Sequence, residues 1–112
     1  MQTFPFEIEY YKTAADIKPF KEWLEGLRDI DGRAKIRIRL DRVRQGNLGD
    51  HKYVENGDWE IRIDYGPGYR VYYGKDGNRL VLLLIGGDKR TQRRDIETAV
   101  TYLQDYEARK EQ

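Results

Sequence analysis

Five side chains stand out for chemistry: Glu60, Arg62, Arg70, Lys89 and Arg90. They lie in one stretch, Trp59 to Thr91, that reads as three strands separated by two Gly-marked turns. Arg62 and Arg70 flank Gly66-Pro67-Gly68, and Lys89 and Arg90 follow the last strand. If the strands pair as an antiparallel meander, the four cations converge on one polyanion. Such a cleft suits a phosphodiester, because cations both hold phosphate and stabilise the charge that develops as it is cleaved. Arginine itself is a poor base, since its pKa stays above about 12. Glu60, the lone His51 and Tyr73 are the candidates for accepting a proton.

Each position also has a plainer reading. Opposite charges often pair across strands, so Arg70 and Glu60 can be a structural pair. Arg62 can face solvent from an exposed sheet, Lys89 and Arg90 can be ordinary loop charges, and His51 can be a loop residue. Tyr65, Tyr69, Tyr72 and Tyr73 divide between core and surface, and outward members, Tyr69 among them, can stack on bases.

The elements that must position these groups follow from periodicity. Phe6 to Tyr11 alternates apolar and acidic residues, which predicts a half-buried strand. Ile17, Phe20, Leu24 and Leu27 recur at helical spacing, with Asp16 or Thr13 as N-cap and Pro19 in the first turn. Residues 33–44 fit a strand locally, but length and Arg/Leu/Ala content favour a helix bearing Ile36, Leu40 and Val43 on one face. A helical hairpin of 16–27 and 31–45 results, ended by Gly46. Trp59 to Asp64, Tyr69 to Tyr73 and Leu80 to Ile85 are strands, with Asp76-Gly77 as a hairpin signal. The nearly apolar Leu80 to Ile85 is expected at the centre of the sheet. Thr91 is expected to cap a last helix built on Ile96, Ala99, Val100 and Leu103, frayed from Ala108 onward. The order is β-α-α-β-β-β-α, an α+β domain over residues 1–112 with a mainly antiparallel four-stranded sheet.

Composition narrows the class. No apolar run approaches the ~20 residues of a membrane span, and no basic-then-apolar leader opens the chain. There is no cysteine and one histidine, so disulfides and thiolate or histidine metal sites are not expected. The expected setting is the cytoplasm, without a cofactor. The net charge of +1 hides segregation: −3 over residues 1–32, +5 over 33–52 and −1 over 53–112. The basic block supplies Arg33, Lys35, Arg37, Arg39, Arg42, Arg44 and Lys52. It reads either as a solvated helix face or as a surface for nucleic acid or an acidic partner.

The chain resembles the RelE/ParE superfamily of bacterial toxins from type II toxin–antitoxin modules, and within it the HigB-like addiction module killer group. The likeness is densest at Glu60-Ile61-Arg62-Ile63-Asp64-Tyr65-Gly66-Pro67-Gly68-Tyr69-Arg70-Val71-Tyr72 and at Leu82 to Gln92. It extends to Tyr10-Tyr11-Lys12-Thr13, Phe20-Lys21-Glu22-Trp23-Leu24, Arg39-Leu40-Asp41-Arg42 and Gly46 to Asp50. The resemblance implies a RelE-like fold and an endoribonuclease that cuts messenger RNA, usually on the ribosome, without a metal. It further implies a cognate antitoxin, a small helix-turn-helix protein. Two alternatives come with it: ParE-like inhibition of DNA gyrase without hydrolysis, and a degenerate member that only binds antitoxin and operator. Arg62, Arg70, Lys89 and Arg90 match the cationic positions of the RNA-cutting members. Two positions depart: Glu60 stands where the RelE branch has lysine, and Ile96 roughly where it has tyrosine.

Overall fold

The computed structural model describes residues 5–110. In chain order the elements are β1 (Glu7–Tyr10), α1 (Pro19–Gly26), α2 (Ile30–Arg44), β2 (His51–Glu55), β3 (Asp58–Ile63), β4 (Tyr69–Asp76), β5 (Leu80–Asp88) and α3 (Gln92–Lys110). A short 3-10 turn, Lys89–Thr91, leads into α3. The sheet runs β1-β5-β4-β3-β2. β1 lies parallel to β5, and every other pair is antiparallel. The fold is α+β with a mixed sheet of five strands.

The expectation of four strands is therefore corrected by β2. Its sequence, His51-Lys52-Tyr53-Val54-Glu55, has no apolar alternation, because it is an edge strand with little to bury. Asn56 and Gly57 both take positive φ, 49° and 84°, and turn β2 into β3 in two residues. Asn-Gly is the strongest short hairpin signal, since both central residues must be left-handed. β5 is also not the central strand. It is buried on both faces, but β4 holds the middle of the sheet.

Two layers of helix cover the two faces. On one side, Phe20 and Leu24 of α1 and Ile36, Leu40 and Val43 of α2 pack on Ile61, Ile63, Val71, Tyr73, Val81 and Leu83. On the other, Ile96, Ala99 and Leu103 of α3 pack on Tyr11, Tyr72, Leu82 and Leu84. Paired glycines in β5 allow both helices close approach. A Cβ on Gly86 would strike the Trp23 ring, and one on Gly87 would strike the Asp95 carboxylate.

The helix ends differ in detail from expectation. α1 starts at Pro19, because Asp16 takes a left-handed φ of 64° inside a preceding turn, with its N–H on the Thr13 carbonyl at 2.9 Å. Ile17 is consequently exposed rather than on the packed face. Asp29 caps α2, its Oδ1 accepting from the Gly32 N–H at 2.9 Å. Asp88 rather than Thr91 is the cap before α3: it accepts the Arg90 N–H at 2.8 Å while the Thr91 hydroxyl returns to the Asp88 backbone. α3 stays helical through Lys110, past the expected fraying at Ala108, because Arg109 pairs with Asp105 at 2.8 Å and Lys110 with Asp76 at 2.5 Å. Glu111 and Gln112 lie outside the described residues.

Candidate functional site

Side chains alternate across a strand, so Asp58, Glu60 and Arg62 share the sheet face that α3 covers, and Asp64 follows just past the end of β3. Strand register extends that row sideways. Glu60 is flanked by Lys52 on β2 and Tyr72 on β4, and Arg62 sits opposite Arg70. A carboxylate and three cations are thereby collected from three strands.

Glu60 is the hub and has no exposed surface. Arg62 Nε donates to its Oε1 at 2.8 Å, and Gln92 Nε2 at the start of α3 donates to its Oε2 at 3.3 Å. Arg70 Nη1 and Lys52 Nζ both lie 3.9 Å from Oε1. The cations grade from inside to outside: Arg70 is 12% exposed, Arg62 35% and Lys52 53%. One buried negative charge thus faces three positive ones, and the surplus points toward solvent. The hydrogen bond to Glu60 also raises the Arg62 pKa above its ordinary value.

A cleft of about 250 Å³ opens over this cluster, lined by Asp50, Arg62, Ile63, Asp64, Gly68, Arg70 and Lys89. The left-handed Gly68 brings the β3–β4 turn beside Lys89. Beneath the cleft wall, Arg39 reaches from α2 and donates to three backbone carbonyls: Arg62 at 3.0 Å, Leu48 at 3.0 Å and Asp50 at 3.1 Å. Such charge-assisted bonds fix the 46–50 loop against β3. The arrangement can bind a phosphate group through three convergent cations, with two exposed carboxylates at its rim.

Arg62, Arg70 and Lys89 meet in the cleft as expected. Arg90 does not line it: its Nη2 pairs with Asp88 Oδ2 at 3.0 Å and its backbone N–H with the same side chain. Glu60 is present but wholly covered, so it orders cations rather than facing a substrate. The other two base candidates lie on the opposite face. His51 pairs in register with Ile61, and its Nδ1 donates to the Gly49 carbonyl at 2.8 Å. Tyr73 is buried in the core beneath the helical hairpin, and burial pushes its hydroxyl up to about 12.

Tyr69, expected as an exposed stacking residue, is instead a core residue. Its hydroxyl donates to Asp29 Oδ2 at 2.8 Å, tying β4 to the cap of α2, and burial pushes it up to about 12. The error is one of parity, since odd-numbered residues of β4 from 69 to 73 face the hairpin. The basic helix also divides. Arg39 is committed to backbone, Arg33 donates to the Glu25 carbonyl at 3.3 Å, and Arg44 pairs with Asp41 at 3.5 Å. Lys35 sits 4.9 Å over the Tyr65 ring, and Arg37 and Arg42 are exposed. Ile96 is a core residue of α3.

Asp50, Asp64 and Gln92 are site residues that sequence reasoning missed. Asp64 carried a signal, standing between Arg62 and the Gly66-Pro67-Gly68 turn. Gln92 carried none, because its contact depends on how α3 docks. Deeper under α3 lies a further group of acids. Asp58 is fully buried, its carboxylate has no side-chain partner among the described residues, and burial next to Glu60 pushes it up to about 8. Burial likewise raises Asp95, which accepts from the Thr91 hydroxyl at 2.5 Å. The buried Tyr72 hydroxyl also lacks a hydrogen bond among the described residues, and desolvation with Glu60 nearby raises its pKa strongly.

No helix among the described residues is long and apolar enough to cross a membrane. No model of a known protein family matches the chain. A protein of Haemophilus influenzae, described only as uncharacterized, is 49% identical over 80 residues, which span 71% of this chain and 81% of that protein. Identity and coverage of that size over a single domain mean shared descent and a shared fold, and the chain belongs to the same family as this Haemophilus influenzae protein.

Proposed function

We propose that the chain is an endoribonuclease toxin of the RelE/ParE type, cutting messenger RNA on the ribosome and held in check by a small helix-turn-helix antitoxin. The carrying observation is the convergence of Arg62, Arg70 and Lys89 on one open cleft, two of them held by a buried carboxylate. In the reaction, the ribose 2′-oxygen attacks its own phosphorus and the bond to the 5′-oxygen breaks. The 2′-hydroxyl proton leaves to a base, and the departing 5′-oxygen takes up a proton. The products are a 2′,3′-cyclic phosphate and a 5′-hydroxyl. Fixed cations stabilise the phosphorane charge without reorganising at the moment of reaction. This supplies the charge compensation for which other nucleases use metal ions.

Glu60, His51 and Tyr73 do not reach the cleft, so proton acceptance falls to Asp50 or Asp64, the carboxylates that line it. The test is brief induction in cells, with new RNA 5′ ends mapped beside gyrase-linked DNA breaks. Discrete RNA ends that vanish in Arg70→Ala are expected. For the purified protein, removing one phosphate-stabilising donor of this kind lowers the cleavage rate by about 10²–10³-fold. DNA breaks without new RNA ends would replace this reading with gyrase inhibition.

A further inference from the structure

The face of β2 turned away from the cleft carries a row of rings that ends in the exposed Tyr53. Tyr53 and Trp59 are register partners and meet edge to face at 5.3 Å. His51 lies 5.9 Å from Trp59 on one side, and Tyr73 stacks behind Trp59 at 6.3 Å. Lys75 holds its ammonium 4.1 Å from the centre of the Trp59 ring. The row runs from core to solvent: Tyr73 is buried, Trp59 and His51 are half-buried, and Tyr53 is 52% exposed.

Two hydrogen bonds fix the outer rings. The Tyr53 hydroxyl accepts the Gly57 N–H at 3.0 Å, and His51 Nδ1 donates to Gly49. Rings locked in this way lose little freedom when something stacks on them. Tyr53 thus presents a pre-set ring on an edge strand with 52% of its surface open. Lys75 beside the ladder and Lys52 on the cleft face put a cation on each side of the edge, within reach of a phosphate, with the acids Asp50 and Glu55 at the two ends of β2.

β2 joins this ladder to the cleft. Lys52 points to the Glu60 cluster, while His51 and Tyr53, its neighbours in sequence, point to the ladder. Asp50, just before the strand, lines the cleft. Resting on the nuclease reading above, we infer that the strand of RNA leaving the cleft folds over the open edge of β2 and stacks a base on Tyr53. The phosphates are then held on one face of the sheet and a base is read on the other. Every base offers a ring face, so the contact adds affinity with little sequence preference.

The experiment uses the full chain with an uncleavable, 2′-O-methylated oligonucleotide and an abasic phosphodiester oligomer of the same length, titrated by fluorescence anisotropy. Wild type should bind the base-containing oligomer about five- to a hundredfold more tightly than the abasic one, the span expected for one stacked base. Tyr53→Ala should erase that difference and leave abasic binding unchanged, while Tyr53→Phe should retain it. Equal binding of both oligomers by wild type, or an unchanged difference in Tyr53→Ala, overturns the ladder and assigns the rings to a protein surface. Loss of the difference in Tyr53→Ala together with full binding by Arg70→Ala overturns the cleft instead. Binding of neither oligomer overturns both.

Discussion

The two faces of the central hairpin are made from alternate residues of the same two strands, and they are opposites. Ile61, Ile63 and Val71 are wholly or nearly buried beneath the helical hairpin in an apolar core. Their neighbours Glu60, Arg62 and Arg70 form an ionic cluster on the other side. The apolar face is stabilised by area removed from water and tolerates imperfect shape. The charged face holds together only while each charge is matched, because an uncompensated buried charge is costly. One face therefore makes the fold, and the other stores a constrained excess of positive charge aimed at solvent.

The largest break in this comparison is Glu60→Gln. Removing the buried negative charge shared by three cations should cost about 3 kcal/mol, the low end for a broken buried pair, since Arg62 and Lys52 are partly solvated. Added salt should restore part of the loss by screening the cations. A denaturant midpoint equal to wild type at low salt would mean that Glu60 organises nothing.

Asp58→Asn sharpens the contrast by altering the charged face where it has no side-chain partner among the described residues. The folded Asp58 ionises at about 8, above its ordinary 3.8, because it is buried beside Glu60. Folded protein then holds a proton that the unfolded chain has released, so stability is full below about pH 4 and declines as pH rises toward 8. The Asn variant, neutral at every pH, should lose that slope, so its stability relative to wild type rises as pH goes from about 4 to 8. Parallel melting curves for the two proteins across this window would remove Asp58 from the account.

The smallest effect is on the apolar face. Ile61→Val deletes one methyl group from a fully buried side chain and should cost about 0.5–1.5 kcal/mol. On the nuclease reading proposed above, RNA cleavage at a temperature where the variant stays folded should match wild type. A clear loss of activity would show that the faces are coupled through β3 rather than independent.

Much of the fold was legible because it rests on local rules. The helical faces of Phe20/Leu24 and Ile36/Leu40/Val43, and the hairpin turns at Gly66–Gly68 and Gly77, are written in spacing and turn chemistry. β2 was missed because an edge strand needs no apolar alternation, although Asn56-Gly57 marked it. The cleft cations Arg62, Arg70 and Lys89 were legible from their offsets. Face assignment was not, as Tyr69 shows, because parity depends on a register that the turn sets. The burial of Glu60 was hidden for a different reason: it is closed over by Gln92, whose position depends on α3 docking from a distant part of the chain.

The parallel pairing of β1 with β5 has a consequence in time. Glu7 is the register partner of Leu80, and Tyr11 donates to the Leu83 carbonyl at 2.9 Å. Of the five described strands, β1 is made first and waits for β5, made last, before it can enter the sheet. The meander from β2 to β5 closes short loops and can form early, whereas β1 must close a loop spanning most of the domain. Until β5 is made, the polar backbone of β1 is served by water and its apolar residues have no core to join. The domain is consequently sealed by its oldest segment, so synthesis has passed most of the cationic cluster before the sheet can be complete.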